Sequence, residues 1–502
     1  MSRTSRPVDL MWLRLFRRFE GKSATLQGQL RDMLVHGVME GFLQPGTALP
    51  SSRLLAVTLG LSRTTVMLTL EALADQGFLV SRARSGYFVS DENQTTLLGQ
   101  QPASAHSPPS ENRWRSRLKM TPSVQRNIEK PADWQQQPYP FVYGQFDATL
   151  FPFRDWRRCV LESLEARAVR RWAPDQIDLD DEALIEQVHG RLLPARGIWV
   201  GRDQILITSG AQQGLFLLSE LLIGASTDVG IETPGYPDAR NNFALRTRRI
   251  HDLGVDAHGL VPGGELSRCN YVFVTPSHQC PTTVTMSLER RQALLASAER
   301  DDFMVIEDDH ESELNFSAQP TPALKSLDAT QRVIYLGSLS KTLAHGLRLG
   351  FVVAPPELIL EMRALRRLML RHVSSNNQQA AANFIAHGFH ETYVRRLIAC
   401  YRDRAQALRQ ALADHAPRLE PAAARGGSAL WVTGPKDLDT RELARRLYGH
   451  GVVIEPGEFF YPAREQPCRC MRIGYSSIAQ GRIDAGVRLI GKELARQLRE
   501  NT

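Results

Sequence analysis

Between residues 26 and 89 the spacing of apolar positions marks out successive short elements. From Leu26 onward, Leu30, Met33 and Leu34 fall on one helical face, and Gln44-Pro45-Gly46 ends the element. Pro50-Ser51-Ser52-Arg53 opens a second helix with a serine cap, and Leu59-Gly60-Leu61 is its exit turn. Ser62 caps a third helix in which Val66, Leu70 and Leu73 recur at i, i+4 and i+7. That register leaves Arg63, Thr64 and Thr65 exposed in the first turn, and Gly77 stops the helix. The period then changes to that of strands, with Phe78-Leu79-Val80 and Tyr87-Phe88-Val89 flanking a tight loop that carries Arg82, Arg84 and Gly86. Three helices followed by two short strands predict a helix-turn-helix with a wing.

The pattern changes twice more. Residues 91–137 are dominated by Gln, Ser, Pro and Asn, a composition with too little apolar surface to order itself, and are expected to form a flexible linker. From residue 138 to 502, short apolar runs alternate with helical stretches. Gln204-Ile205-Leu206-Ile207-Thr208 precedes a helix from Ala211 to Leu222, and Tyr271 to Val274, Met304 to Ile306 and Arg332 to Leu336 read as further strands. Strands that are apolar on both faces and alternate with helices predict an α/β domain around a mostly parallel sheet. The 502-residue chain thus divides into a winged helix-turn-helix (1–90), a linker (91–137) and a large α/β domain (138–502).

Charge sharpens the first assignment. Residues 1–90 hold eleven Lys/Arg against six Asp/Glu, which accounts for most of the net charge of +7. A basic excess confined to a small module is the electrostatic footprint of phosphate binding and points to double-stranded DNA. No apolar stretch approaches the ~20 residues of a membrane span, so no membrane partner is expected and the chain is read as cytoplasmic. The six cysteines lack the two-pair spacing of a zinc site, and no metal is expected.

Ligands of parallel sheets gather at the carboxyl ends of the strands, and the chemically useful residues fall there. Thr208-Ser209-Gly210-Ala211-Gln212 follows a strand and opens a helix, a turn whose N–H groups can cradle a phosphate. Asp308 and Asp309 follow one strand; Ser338, Ser340 and Lys341 follow another, with Arg348 seven residues beyond the lysine. An amine that can condense with an aldehyde, together with an acid that can hold a pyridine nitrogen protonated, is what pyridoxal phosphate (PLP) requires.

Residues 26–89 resemble the winged helix of GntR-type regulators, through Pro45-Gly46, Leu49-Pro50-Ser51-Ser52-Arg53, Ser62-Arg63-Thr64-Thr65-Val66 and the Ser85-Gly86 wing. The resemblance implies DNA contacts by Ser52, Arg53, Ser62, Arg63, Thr64 and Thr65, with the wing residues Arg82, Arg84 and Gly86 against the DNA backbone. The large domain resembles fold type I aminotransferases through Thr208 to Gln212, Glu232-Thr233-Pro234-Gly235-Tyr236-Pro237, Thr275-Pro276-Ser277-His278-Gln279, Glu307-Asp308-Asp309, Ser338-Leu339-Ser340-Lys341 and Met471-Arg472-Ile473-Gly474. With the winged helix in front, the chain is similar to the MocR/GabR family of transcriptional regulators.

That resemblance implies a role for each matching residue. Lys341 would form the Schiff base with PLP, Asp308 would pair with the pyridinium nitrogen, and Tyr236 would stack on the ring. Ser209, Gly210, Ala211, Gln212, Ser338, Ser340 and Arg348 would hold the phosphate, and His278 and Gln279 would lie near the ring hydroxyl. Arg472 would grip an effector carboxylate with its planar fork. The chain departs from the family at His310, where Tyr is common and would bond the ring hydroxyl; at Thr283, where Gly is common; and at Arg171-Trp172-Ala173-Pro174-Asp175, which replaces a Tyr-Gly start. The resemblance implies a PLP-dependent, DNA-binding regulator, a head-to-tail homodimer, sensing an amino-acid or amine effector through an aldimine at Lys341 with little or no turnover. The alternative is an aminotransferase with a DNA-binding appendage.

Overall fold

The computed structural model describes residues 7–19, 25–83, 85–90, 112–317, 321–462 and 468–500. The chain forms two compact units, residues 1–119 and 120–502.

In the first unit, helices α1 (Pro7–Arg17), α2 (Leu26–Met39), α3 (Ser52–Leu59) and α4 (Arg63–Asp75) precede strands β1 (Leu79–Arg82) and β2 (Gly86–Val89). Local chemistry sets the boundaries. The Thr25 side chain accepts from Gly28 N, Ser51 from Leu54 N and Ser62 from Thr65 N, each satisfying a donor that the helix start leaves free. Gly60 ends α3 in the left-handed region at φ +69°. Strands β1 and β2 pair antiparallel from Leu79↔Val89 to Arg82↔Gly86, forming the wing. Helix α1 was not among the expected elements. It contributes Trp12 and Phe16 to the core of Leu30, Met33, Leu34, Leu55, Val66 and Leu70.

The second unit is built on an eight-stranded sheet. Its strands are β3 (Ile205–Thr208), β4 (Val229–Thr233), β5 (Ile250–Asp256), β6 (Gly259–Leu260), β7 (Tyr271–Val274), β8 (Met304–Asp309), β9 (Val333–Ser338) and β10 (Gly350–Val353), in the order β3-β10-β9-β8-β7-β4-β5-β6. The central pairs β9–β8, β8–β7, β7–β4 and β4–β5 are parallel, whereas β10 runs antiparallel to both its neighbours. Strands β3, β9 and β10 are almost wholly buried, as apolar runs covered on both faces must be. Helix α5 (Ala211–Leu222) follows β3 directly. A second sheet, β11 (Glu420–Pro421), β12 (Ala429–Thr433), β13 (Glu455–Pro456) and β14 (Cys470–Gly474), has the order β11-β12-β14-β13. Helices α6 (Phe389–His415) and α7 (Gln480–Glu500) pack together through Leu408, Leu412, Val487 and Ile490 in the largest core. No helix among the described residues is long and apolar enough to cross a membrane.

The second unit begins at Met120, before the expected start at residue 138. Residues of the expected linker are held by polar partners, and Ile128 also packs against Cys280, Trp431 and Phe460. Gln125 Nε2 donates to Asn241 O (3.0 Å), Asn241 Nδ2 donates to Arg126 O (2.9 Å), and Arg126 pairs with Glu458 (3.6 Å). Composition predicts whether a segment can bury apolar surface, and it is blind to hydrogen bonds whose partners lie more than a hundred residues away.

Candidate functional site

Parallel pairing of β8 and β9 places Asp308 opposite Leu336 and Asp309 opposite Gly337, so both strands end on the same edge as Ser338, Ser340 and Lys341. Alternation along β8 separates its three acids. Glu307 turns to the backbone N–H groups of Leu324 and Lys325, both at 2.8 Å. Asp309 accepts from Arg196 Nε (2.9 Å) and the Tyr335 hydroxyl (2.8 Å). Asp308 faces the other way, into a cavity of about 710 Å³ whose wall also includes Tyr143, Gln212, Tyr236, Cys280, His310, Ser338, Ser340, Lys341, His345, Arg348 and Arg472.

Burial controls the electrostatics of this cavity. It depresses the pKa of the Lys341 amine, a shift reinforced by Arg472 and Lys130 and opposed by Glu311. Its Nζ lies 3.4 Å from Gly144 O and 4.4 Å from the centre of the Tyr143 ring. Burial, with Asp309 nearby, raises Asp308 to about 7 against the pull of Lys341, and Asp308 Oδ1 has no hydrogen-bond partner among the described residues. His310 is pushed down to about 4, chiefly by desolvation, so its imidazole is neutral at pH 7. Burial alone would raise Glu311, but Lys341, His310 and the Ser428 hydroxyl together hold it low.

The turn before α5 packs against Arg348. Gly210 sits at φ +77°, and a Cβ there would meet Arg348 Nη2 at 2.9 Å, so glycine lets the guanidinium lie against the turn. Ala211 and Gln212 line the cavity, whereas Ser209 N is engaged by Gln213 Oε1 at 2.7 Å. The Tyr236 hydroxyl bonds Gln212 Oε1 (3.2 Å) and Asp238 Oδ2 (3.0 Å).

Two expected ring contacts lie elsewhere. Gln279 Nε2 donates to Glu232, Pro234 O and Cys280 O, and its Oε1 accepts from Thr282, so it braces the loop behind the cavity. His278 is buried and does not line the cavity; a Cβ on Gly426 would meet its ring at 2.7 Å. The Trp172 indole donates to Ser163 O (2.7 Å), and Trp172 lines a separate cavity.

Arg472 is more constrained than a free clamp. On β14 it stands between Trp431 of β12 and Glu455 of β13 in the strand register. Its Nε donates to Glu455 Oε2 at 2.7 Å with both side chains buried, and its guanidinium lies 3.8 Å from the centre of the Tyr143 ring and 4.7 Å from that of Phe460. Pairing and stacking fix its plane, its Nη1 lies 3.9 Å from Cys280 Sγ, and the residue lines the cavity. Sequence reasoning missed Tyr143, Gly144, Glu311, His345, Glu455 and Lys130. The one available signal was the Tyr143-Gly144 dipeptide, whose glycine sits at φ +59°.

In the first unit, Arg53, Arg63 and Thr64 are exposed at the first turns of α3 and α4, and Ser52 is half-buried. The Ser62 and Thr65 hydroxyls bond each other at 2.7 Å while Ser62 caps the helix, so both serve the turn itself. The Arg82 guanidinium lies 4.4 Å from the centre of the Phe88 ring, Gly86 takes φ +99°, and Arg84 lies outside the described residues.

A mostly parallel sheet with a lysine, an acid and an arginine at its carboxyl edge defines the large unit as a fold type I aminotransferase domain, and the small unit is a winged helix-turn-helix. The sequence matches the family "Aminotransferase class I and II" over residues 145–490 and "Bacterial regulatory proteins, gntR family" over 26–89. It is 39% identical over 479 residues to the HTH-type transcriptional regulator TauR of Rhodobacter capsulatus, covering 94% of this chain and 97% of that protein. It is 30% identical to the probable rhizopine catabolism regulatory protein MocR of Rhizobium meliloti, covering 90% of each. In structure it resembles Pyrococcus horikoshii kynurenine aminotransferase in complex with PMP (TM-score 0.69, 26% identity, 76% of this chain and 98% of that one). LysN of Thermus thermophilus, complexed with N-(5'-phosphopyridoxyl)-L-leucine, is equally similar (TM-score 0.69, 26% identity, 77% and 99%). The chain belongs to the MocR-type transcriptional regulators, in which a GntR winged helix is joined to an aminotransferase domain.

The cofactor implied by this fold is PLP. The residues fit it: an amine of lowered pKa, a buried acid with an unpartnered oxygen, and a glycine turn pressed against an arginine.

Proposed function

We propose that this regulator senses an amine that also carries an anionic group, and that the occupied large unit alters DNA binding by the winged helix. What supports this reading is the presence, in one chain, of a helix-turn-helix with exposed Arg53 and Arg63 and a cavity in which Lys341, Asp308 and Arg472 meet. PLP, when bound, supplies an aldehyde that takes up an amine covalently and a ring that withdraws electrons.

This chain's residues prepare the cavity for that chemistry. The depressed pKa of Lys341 keeps more of its amine neutral and nucleophilic. Asp308, poised near 7, can ionise when a cation is placed against its open oxygen. Arg348 offers a cation beside the glycine turn for the phosphate, with the Ser338 and Ser340 hydroxyls nearby. Tyr236, oriented by its bonds to Gln212 and Asp238, presents its face for stacking. Arg472 receives the effector's anion where it faces the cavity. Arg53, Arg63 and Thr64 contact DNA, with Ser52 beside them. The regulator acts in the cytoplasm as a head-to-tail homodimer.

The test is a pair of titrations, amine with and without operator and operator with and without amine. Linkage requires the same factor in both, with typical couplings of ~1–3 kcal/mol. Equal affinities for every amine that shifts the visible spectrum would remove the sensor reading. The retained amine and acid favour a second reading, an aminotransferase with a DNA-binding appendage, which product analysis after a single turnover would reveal.

A further inference from the structure

We infer that Lys130 determines effector specificity by supplying the net positive charge for the ligand's anionic end. The inference rests on reading the large unit as an effector site.

Arg472 has no net charge to offer a ligand. Its charge is matched by Glu455, buried against it at 2.7 Å, and Glu455 Oε1 has no hydrogen-bond partner among the described residues. An anion approaching the arginine therefore meets a pair with no net charge and an acceptor oxygen beside it. Such a site orients a carboxylate by hydrogen bonds but gains little from attraction over distance.

Lys130 restores that attraction. It lines the same cavity, ten residues after the second unit begins. The segment is fastened on both sides of it: Gln125 and Arg126 bond to Asn241 and Glu458 before it, and Asp133 accepts from the Tyr448 hydroxyl at 2.6 Å after it. The backbone is held, yet the Lys130 ammonium makes no ion pair or hydrogen bond among the described residues. Its electrostatic neighbours are Glu455, Arg472 and Asp238, and partial burial lowers its pKa. Lys130 is itself exposed, at the rim of the cavity that Arg472 also lines. A cation at the rim of a cavity with no ion pair of its own is the group an incoming anion meets first. The ligand class is an amine whose other end bears a full negative charge, a carboxylate or a sulfonate. Its anion would join the entry segment to strand β14.

The test needs no knowledge of the effector. Butanoate, with 1-butanol as its uncharged match, is titrated into the full-length PLP-loaded protein at constant ionic strength, and the visible absorption of the bound cofactor is followed. Wild type should bind butanoate in preference to 1-butanol. Lys130→Gln should raise the butanoate dissociation constant at least fivefold and leave that of 1-butanol within twofold, and Lys130→Arg should restore butanoate binding. A butanoate constant unchanged in Lys130→Gln, an equal loss for 1-butanol, or no preference for the anion in wild type would each overturn the inference. If no amine alters operator affinity while the butanoate difference persists, the sensor reading fails and the role of Lys130 stands.

Discussion

The buried pair Glu455–Arg472 yields a prediction in which stability and ligand affinity move in opposite directions. Glu455→Gln keeps the shape and an oxygen that can accept from Arg472 Nε, but removes the only carboxylate paired with Arg472 among the described residues. Leaving a buried charge without its partner costs roughly 3–5 kcal/mol. The retained hydrogen bond places this substitution at the lower end, about 3 kcal/mol. Ligand affinity should rise. An anion on the cavity side of the guanidinium would sit about 6 Å from the carboxylate, where like charges repel by roughly 3 kcal/mol at an effective dielectric constant of about 20. Relieving even half of that repulsion gives a tenfold gain, since ~1.4 kcal/mol is a factor of ten. The assay is the thermal loss of bound-PLP absorbance, which reports the large unit alone, combined with a butanoate titration. Glu455→Gln should melt lower and bind butanoate at least tenfold tighter. Glu455→Gln with Arg472→Met should recover most of the stability and none of the affinity. A single variant that melts like wild type, or binds the anion no better, would refute the charge argument.

Four further outcomes are expected. Lys341→Ala should fold and bind DNA but yield no borohydride-stable PLP adduct, because the amine stands at a cavity edge; an adduct on the same peptide would sink the assignment. Arg63→Ala should weaken operator binding by roughly 1–3 kcal/mol if it reads a base edge, or lower the salt slope by about one unit if it meets a phosphate, and unchanged affinity would mean that α4 is not the recognition helix. Gly144→Ala should release PLP faster on dilution, because the residue sits at φ +59° and a Cβ there would overlap Lys341 Nζ; the left-handed backbone adds roughly 1–2 kcal/mol. In PLP-free protein Asp308→Asn should melt higher than wild type at pH 8 and alike at pH 4. The folded pKa of Asp308 is raised to about 7, so the unfolded chain loses that proton first and stability falls as pH climbs from about 4 to about 7; equal melting at pH 8 would count against the raised value.

The parts of this molecule that were legible in the sequence are those whose determinants are local. Ser51 and Ser62 cap helices whose first residues they precede by one position, and Gly60 terminates the turn it occupies, so the helix-turn-helix could be laid out within a residue or two. Strand β8 was legible as an apolar run, and its parallel pairing with β9 puts Asp308 and Lys341 at the same sheet edge. What escaped depends on partners distant in sequence. Helix α1 is rich in apolar residues broken by Arg14 and Arg17, and Trp12 and Phe16 find their place only against Leu30 and Leu55. His278 and Gln279 sit within a familiar motif, yet the fold turns Gln279 to Glu232 and Pro234, forty-seven and forty-five residues away.

The same reason explains why composition misled for residues 120–137. A polar segment lacks the apolar surface to order itself, but nothing prevents it from being ordered by a surface that already offers Asn241, Glu458 and Tyr448. Once held there, Lys130 ceases to be an ordinary linker lysine, because it lines the cavity that Arg472 also lines. Among the described residues, no other cation lining the cavity lies outside the aminotransferase-matched residues 145–490. An effector that engages Lys130 would therefore act on the stretch of chain that follows the winged helix in sequence, whereas a ligand read by Arg472 and Lys341 alone would act only within the large unit.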